Sequence, residues 1–138
     1  MGDHIYVMPD RDRGARWDLT KEALSTALQE RWPGKLTLYD QDDDNWGKAL
    51  LFFVDLHDTP WSNFLNCEGS FWEDKQLLSV TYGEPGAMIV EWFMGLIPEN
   101  VPCLMHTEDI TDPIPLPPRP TAEQVLELTG WYEQVKEP

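Results

Sequence analysis

Three polar side chains that could bind a metal ion or transfer a proton follow an apolar run in the middle of the chain. Asp55 lies near the end of residues 49–56, His57 and Asp58 follow directly, and the ends of strands are common places for functional sites. Imidazole and carboxylate groups bind divalent metals and also act as general acids and bases. His106 or Asp109 from a neighbouring strand would complete a ligand set. The candidate metal ligands are therefore Asp55, His57, Asp58 and His106. Such a grouping also arises by chance, and no metal or other cofactor is predicted.

The two cysteines give no sign of nucleophilic chemistry. Cys103 and His106 are three residues apart, so in a strand they point to opposite faces. Cys67 precedes Glu68, and a carboxylate beside it does not stabilise a thiolate. Each cysteine is therefore predicted to be a small buried apolar residue. The chain also lacks a phosphate-binding glycine loop, a Gly-x-Ser-x-Gly motif and a His-Glu-x-x-His motif, so no catalytic residue is assigned.

The charge of the chain is strongly negative and unevenly distributed. The 138 residues include 25 acids and 10 bases, which gives a net charge of −15. Residues 49–118 contain a single base, Lys75. A protein with this charge repels the phosphates of nucleic acids and attracts basic proteins from a distance. The alternative is that the acidity serves solubility alone.

The acidic residues and nearby tryptophans form a predicted partner-binding set. The favoured hypothesis is a non-enzymatic acidic protein that binds and inhibits a basic partner, as an immunity protein blocks a toxin or as a DNA mimic occupies a nucleic-acid site. Carboxylates would steer the encounter and tryptophans would serve as buried anchors. The alternatives are a small enzyme or ligand-binding domain using Asp55, His57 and Asp58, and a structural protein that forms a homo-oligomer. The predicted contact residues are Asp42, Asp43, Asp44, Trp46, Asp55, Asp58, Trp61, Trp72, Glu73, Asp74, Glu108, Asp109 and Asp112.

The acidic segment 40–47 also resembles a calcium-binding loop in the spacing of its acids. Carboxylates at positions 40, 42 and 44 can surround a hard cation. However, Asn45 occupies the position where such a loop needs glycine, and Leu51 occupies that of the bidentate glutamate. A solvated hairpin loop, or a patch that faces a basic partner, is the favoured interpretation.

The hydrophobic pattern predicts the order β-α-β-β-β-α-β-α. The run 49–56 predicts a central strand that is buried on both faces. The other predicted elements are strands at 4–8, 36–39, 77–82 and 101–107, a helix that begins after Thr20 and ends at Pro33, and a helix at 121–136 that begins with a capping box from Thr121 to Gln124. Residues 57–73 and 108–120 are predicted to be irregular connections.

The segment after Gly83 allows two interpretations. Pro85 and Gly86 suit the centre of a type II turn, which would form a hairpin, but the spacing of apolar residues over 87–97 favours a helix. That helix is apolar on most sides. It is therefore expected either to lie between other elements or to form a homodimer contact.

These elements predict a single α+β domain over residues 1–138. The expected architecture is a mainly antiparallel sheet of about five strands with two or three helices mostly on one face. The order also allows a ferredoxin-like core with an added strand and a C-terminal helix. The first residues show no signal-peptide pattern and the cysteines are few, so a soluble cytoplasmic protein is expected.

Overall fold

A computed structural model describes residues 4–55, 66–108 and 112–130. They form one seven-stranded antiparallel sheet and three α-helices. The strands are β1 (His4–Pro9), β2 (Leu36–Asp40), β3 (Ala49–Asp55), β4 (Asn66–Trp72), β5 (Leu77–Thr81), β6 (Cys103–Thr107) and β7 (Ile114–Leu116), and the helices are α1 (Lys21–Arg31), α2 (Glu84–Met94) and α3 (Ala122–Thr129). The α+β class predicted from the sequence is confirmed.

The sheet has the strand order β2-β3-β4-β5-β1-β6-β7, and one of its faces carries the core. Buried residues alternate with partly exposed ones along β1, β3 and β6, as expected when one face of an antiparallel sheet is covered. Ile5, Val7, Phe52 and Leu78 lie on the covered face. His4, Tyr6 and Met8 alternate with the buried residues of β1 and lie on the open face. The surfaces that a partner can reach are therefore the open face, the loops, the two edges of the sheet and the outer sides of the helices.

Helix α2 lies in the middle of the molecule. Phe93 on α2 contacts Trp17 with ring centroids 5.1 Å apart, and Trp92 contacts Trp32 with centroids 5.0 Å apart. Helix α3 packs against α2, and the Tyr82 hydroxyl donates a hydrogen bond to the carbonyl oxygen of Thr129. The apolar helix is thus covered within the chain, as one of the two sequence-based interpretations expected. A homodimer through residues 87–97 stays a prediction, but it is no longer needed to cover the apolar surface of this helix.

The sheet has seven strands rather than about five because two strands lack the usual sequence pattern. β4 was predicted to be irregular, since it contains Glu68, Gly69 and Ser70 among its seven residues. Glycine is required at position 69 because a Cβ atom there would overlap the ring of Phe52 on the adjacent strand β3. β7 lies inside a proline-rich connection and has Pro115 at its centre, which an edge strand tolerates.

The prediction that residues 49–56 form a central strand buried on both faces is wrong in part. β3 is the second strand from one edge, and β5 occupies the centre of the order. Phe52 and Val54 are buried, whereas Leu51 and Phe53 are partly exposed on the open face. Apolar residues on the open face therefore explain the unbroken run.

The helices are confirmed with shifted ends. Thr20 is the N-cap of α1, and Thr121 and Gln124 form the predicted capping box. α2 begins at Glu84, so the hairpin alternative at Pro85 is wrong, and it ends at Met94, three residues early. α3 ends at Thr129 because Gly130 adopts a left-handed conformation. The predicted continuation to 136 lies mostly outside the described residues.

The ferredoxin-like alternative holds for one half of the sheet. Helix α2 connects β5 to β6, and these strands lie on either side of β1, as in a split β-α-β unit. Helix α1 instead connects β1 to β2, with β5, β4 and β3 between them. The strands β2 to β5 follow one another as a meander, which that fold does not have.

Candidate functional site

Several of the predicted contact residues meet at one end of the sheet. The loop between β2 and β3 and the turn between β4 and β5 lie side by side, because the backbone N–H of Lys48 donates to Asp74 Oδ2 at 3.1 Å and the N–H of Glu73 donates to the Lys48 carbonyl at 3.0 Å. We call this region the acidic loop surface. It consists of Asp40, Asp42, Asp43, Asp44, Trp46, Trp72, Glu73 and Asp74.

The β2–β3 loop is held in a tight hairpin by one of its own aspartates. Asp43 Oδ1 accepts hydrogen bonds from the backbone N–H groups of Asn45 at 2.8 Å and Trp46 at 2.9 Å. Asp43 and Gly47 exchange two backbone hydrogen bonds. Gly47 has φ of 89°, and a Cβ atom there would overlap the Asp74 carboxylate, so only glycine fits. The loop thus presents Asp44 and Trp46 to solvent from a defined backbone.

Lys21, which the sequence did not single out, joins helix α1 to this surface. Its Nζ lies 2.7 Å from Asp42 Oδ1 and 2.9 Å from Asp40 Oδ1, and its backbone N–H donates to Glu73 Oε1 at 2.7 Å. The hydrogen bonds that the Lys21 ammonium donates to Asp42 and then to Asp40 raise the pKa of Lys21. The hydrogen bond from Lys21, followed by that from the Ala49 N–H, lowers the pKa of Asp42. Two of the three acids whose spacing suggested calcium, Asp40 and Asp42, therefore bind an ammonium group, and Asp42 also accepts a hydrogen bond from the backbone N–H of Ala49.

Trp46 is the exposed apolar group of the acidic loop surface. Its side chain packs edge-on against Trp72 with ring centroids 5.7 Å apart, and its exposure is nevertheless 52%. Lys75 Nζ lies 5.5 Å from the centroid of the Trp46 ring, which is within the range of a cation–π contact. A tryptophan held at this exposure among carboxylates has the character of an interface anchor.

A cavity of ≈ 410 Å³ opens on the sheet beside Trp46. Its lining includes the apolar side chains of Met8, Leu77 and Leu104 from three neighbouring strands of the open face. Arg11, Lys75, Asp10 and Asp12 line it as well, and Arg11 donates to the Lys75 carbonyl oxygen. The cavity therefore combines an apolar floor with charges of both signs, which suits an amphipathic side chain of a partner.

The other predicted contact residues lie elsewhere or outside the described residues. Asp55 ends β3 at the end of the sheet opposite to the acidic loop surface, where Glu108 also lies. Asp112 is exposed just before β7. Asp58, Trp61 and Asp109 are outside the described part of the chain, as is His57.

The structure does not bring His106 to Asp55. His106 lies on β6 and Asp55 on β3, and three strands separate them. At about 4.8 Å per strand these residues are roughly 19 Å apart, too far to share a metal ion. Across residues 4–55, 66–108 and 112–130, no three acidic, histidine or cysteine side chains are placed to hold a metal. The hypothesis for Asp55 with His57 and Asp58 stays a prediction.

A second polar cluster, unseen in the sequence, surrounds Glu108. Tyr6 donates its hydroxyl hydrogen to Glu108 Oε1 at 2.9 Å, and the backbone N–H of His4 donates to Oε2 at 3.1 Å. His4 Nδ1 lies 3.3 Å from Oε1, and His106 stacks on the Tyr6 ring with centroids 4.9 Å apart. Desolvation raises the pKa of Glu108, but these hydrogen bonds outweigh it and bring the pKa to about 2. Only the alternation of His4 and Tyr6 on β1 could have indicated this site.

The contacts of Glu108 should make the free energy of unfolding depend on pH in the acidic range. Its pKa falls from 4.5 to about 2 on folding, so its contribution is complete above pH 4.5 and is lost as the pH falls through 2. Because 39% of the side chain is exposed, we expect a contribution of about 1 kcal/mol. The difference in unfolding free energy between the wild type and Glu108→Gln, from urea titrations, should shrink by that amount from about pH 6 to about pH 2. A difference independent of pH would contradict this role.

Both cysteines are buried, as predicted. Desolvation raises the pKa of Cys67 to about 11, and it also raises the pKa of Cys103. Cys103 Sγ accepts a hydrogen bond from Trp17 Nε1 at 3.3 Å. Neither thiol is activated as a nucleophile, since a nucleophilic cysteine requires a lowered pKa.

Comparison with protein-family models, with curated proteins and with solved structures gave no significant match to this chain. In the described ranges the helices all fall short of the length and apolar character that crossing a bilayer requires. Function must therefore be argued from the surfaces described above.

Proposed function

We propose that this chain is a non-enzymatic acidic protein that binds and inhibits a basic protein partner through the acidic loop surface. The observation that carries this proposal is the position of Trp46, which is 52% exposed among Asp42, Asp43, Asp44 and Asp74. Binding energy in interfaces concentrates in such aromatic anchors, while surrounding charges set the rate and the choice of partner.

The electrostatics of the whole chain support the same function. The net charge of −15 attracts a basic protein over distances near the Debye length, which is about 8 Å at physiological ionic strength. The Lys21 ammonium contacts Asp42 and the backbone N–H of Lys48 contacts Asp74, whereas exposed Asp44 makes no hydrogen bond or ion pair with the described residues. The ≈ 410 Å³ cavity next to Trp46 offers a place for a side chain of the partner.

The proposal predicts that reversing the charge at the loop tip weakens binding. We expect Asp44→Lys to raise the Kd for the basic partner by about fivefold to tenfold at low salt, mainly through slower association. The partner would be captured from an extract of the native host on the immobilised chain, purified, and measured by surface plasmon resonance at several salt concentrations. Asp44 makes no hydrogen bond to the described residues, so stability should not change.

Glu127→Lys is the matched control for this experiment. Glu127 is exposed on α3, and its replacement changes the net charge of the chain by the same amount. Its effect on Kd should be less than half that of Asp44→Lys. Equal effects of both variants, an affinity that ignores salt, or a failure to retain any basic protein would contradict the proposed function.

A further inference from the structure

The two edges of the sheet are built differently. β7 forms one edge and is protected by proline, with Pro115 inside the strand and Pro113 and Pro117 beside it. Among the described residues β2 forms the other edge, and its residues Leu36–Asp40 include no proline, lysine or bulge. Proline and lysine are common means of preventing an edge strand from pairing with another chain. β2 lacks both.

The hydrogen-bonding pattern shows which groups of β2 face outward. The first and last bonds of the β2–β3 ladder run from the Asp55 N–H to the Lys35 carbonyl at 2.8 Å and from the Gln41 N–H to the Ala49 carbonyl at 2.9 Å. Antiparallel strands bond through every second residue. Lys35, Thr37, Tyr39 and Gln41 therefore bond to β3. The alternate residues Leu36, Leu38 and Asp40 direct their N–H and C=O groups away from β3.

Side chains next to these groups form a groove between β2 and α1. Trp32, Leu36 and Leu38 line a cavity of ≈ 420 Å³ along the first half of the edge. A second cavity of ≈ 390 Å³ continues past Lys21 and Asp40. The groove is apolar at one end. At the other end Asp40, whose side chain is 76% exposed, and Glu22 outnumber Lys21, which is paired with Asp40, so this end carries a net negative charge.

We infer that β2 receives an extended segment of the basic partner as an eighth strand. Added strands gain affinity from main-chain hydrogen bonds and specificity from pockets for alternate side chains. The segment would place apolar side chains beside Leu36, Leu38 and Trp32, and a lysine or arginine beside Asp40, from where it continues toward the acidic loop surface. This inference rests on the proposed function and adds the mode of recognition.

A second copy of this chain fits the edge less well. Two copies that each carry a net charge of −15 repel one another. Pairing through the outward-facing residues aligns Leu36, Leu38 and Asp40 only with one another. Lys35, the base that precedes β2 in sequence, belongs to the inward-facing set and so cannot lie opposite Asp40 in an antiparallel pair.

The test uses a short synthetic peptide of alternating valine and threonine with lysine at one end, and the full chain. We expect binding that weakens with salt and that is lost, by tenfold or more, when every second amide of the peptide is N-methylated. Methylation of the other amides should change the Kd less than threefold, because those amides face away from β2. Equal effects of both methylation patterns, or no binding of the unmethylated peptide, would overturn strand addition.

Strand addition can also be tested by changing the protein instead of the peptide. Leu38→Pro removes an outward-facing N–H and leaves the β2–β3 ladder intact, so peptide affinity should fall at least tenfold. Leu38→Val keeps the N–H and should stay within threefold. The methylated peptides decide the question if Leu38→Pro does not fold. A dimer in light scattering that Leu38→Pro dissociates would assign the edge to a second copy and overturn the inference.

The same variants separate this inference from the proposed function. If Leu38→Pro binds the captured basic partner as the wild type does while Asp44→Lys binds it weakly, strand addition is rejected and the proposed function stands. If neither variant alters binding of the partner, both are rejected. Loss of binding in Leu38→Pro and Asp44→Lys, with Leu38→Val unaffected, supports both.

Discussion

Phe52→Ala should lower the free energy of unfolding by about 3–5 kcal/mol, whereas Phe53→Ala should lower it by about 1 kcal/mol or less. Phe52 is 1% exposed, and its ring covers Gly69 on β4. Glycine has no side chain that could move into the space left by the ring, so the cavity would persist. Phe53 points to the open face, where it is partly exposed and contacts the ring of Tyr39.

Urea titrations of the two variants measure this difference directly. The residues are neighbours on one strand and have the same chemistry, so each is the control for the other. Similar losses for both would show that each face of β3 is covered, as the unbroken apolar run suggested. A small loss for Phe52→Ala would contradict the position of the core.

The second large effect concerns the contact between α2 and the sheet. A Cβ atom at Gly86 would overlap the carbonyl oxygen of Thr81 and approach Val80. Because backbone atoms cannot rotate aside as a side chain does, Gly86→Ala should push α2 away from β5. We expect a loss of about 3 kcal/mol or more.

Gly95→Ala, at the other end of the same helix, is the matched control. Gly95 is exposed, and a Cβ atom there would lie 3.1 Å from the carbonyl oxygen of Trp92. Gly95→Ala should change the free energy of unfolding by less than about 1 kcal/mol. Thermal unfolding followed by circular dichroism compares the two variants. A Gly86→Ala protein as stable as Gly95→Ala would show that α2 does not approach β5 so closely.

The sequence was sufficient for the elements with strong local signals. The caps at Thr20 and Thr121 act through side chains within a few residues, so they are visible without a structure. β4 was missed because its pattern depends on Phe52, a residue on another strand that requires glycine at position 69. The predicted number of strands was too low because, at such positions, tertiary contacts outweigh the local preference of the sequence.

The candidate site shows the same division. The acidic residues of the β2–β3 loop were evident from composition, and the structure places them beside Glu73 and Asp74, which are distant in sequence. Lys21 and the edge formed by β2 were not predicted, because both depend on strand order. The charge of a segment can therefore be predicted from the sequence, whereas the residues that lie beside it in the fold cannot.

The position of β1 has a consequence for how the chain folds. β1 is synthesised before both of the strands between which it lies, and its pairing of Tyr6 with His106 joins residues that are distant in sequence. The meander from β2 to β5 can assemble from neighbours, while β1 must wait until β6 has been synthesised before both of its partners exist. Contacts this distant slow folding and leave an apolar strand open to capture by chaperones in the meantime.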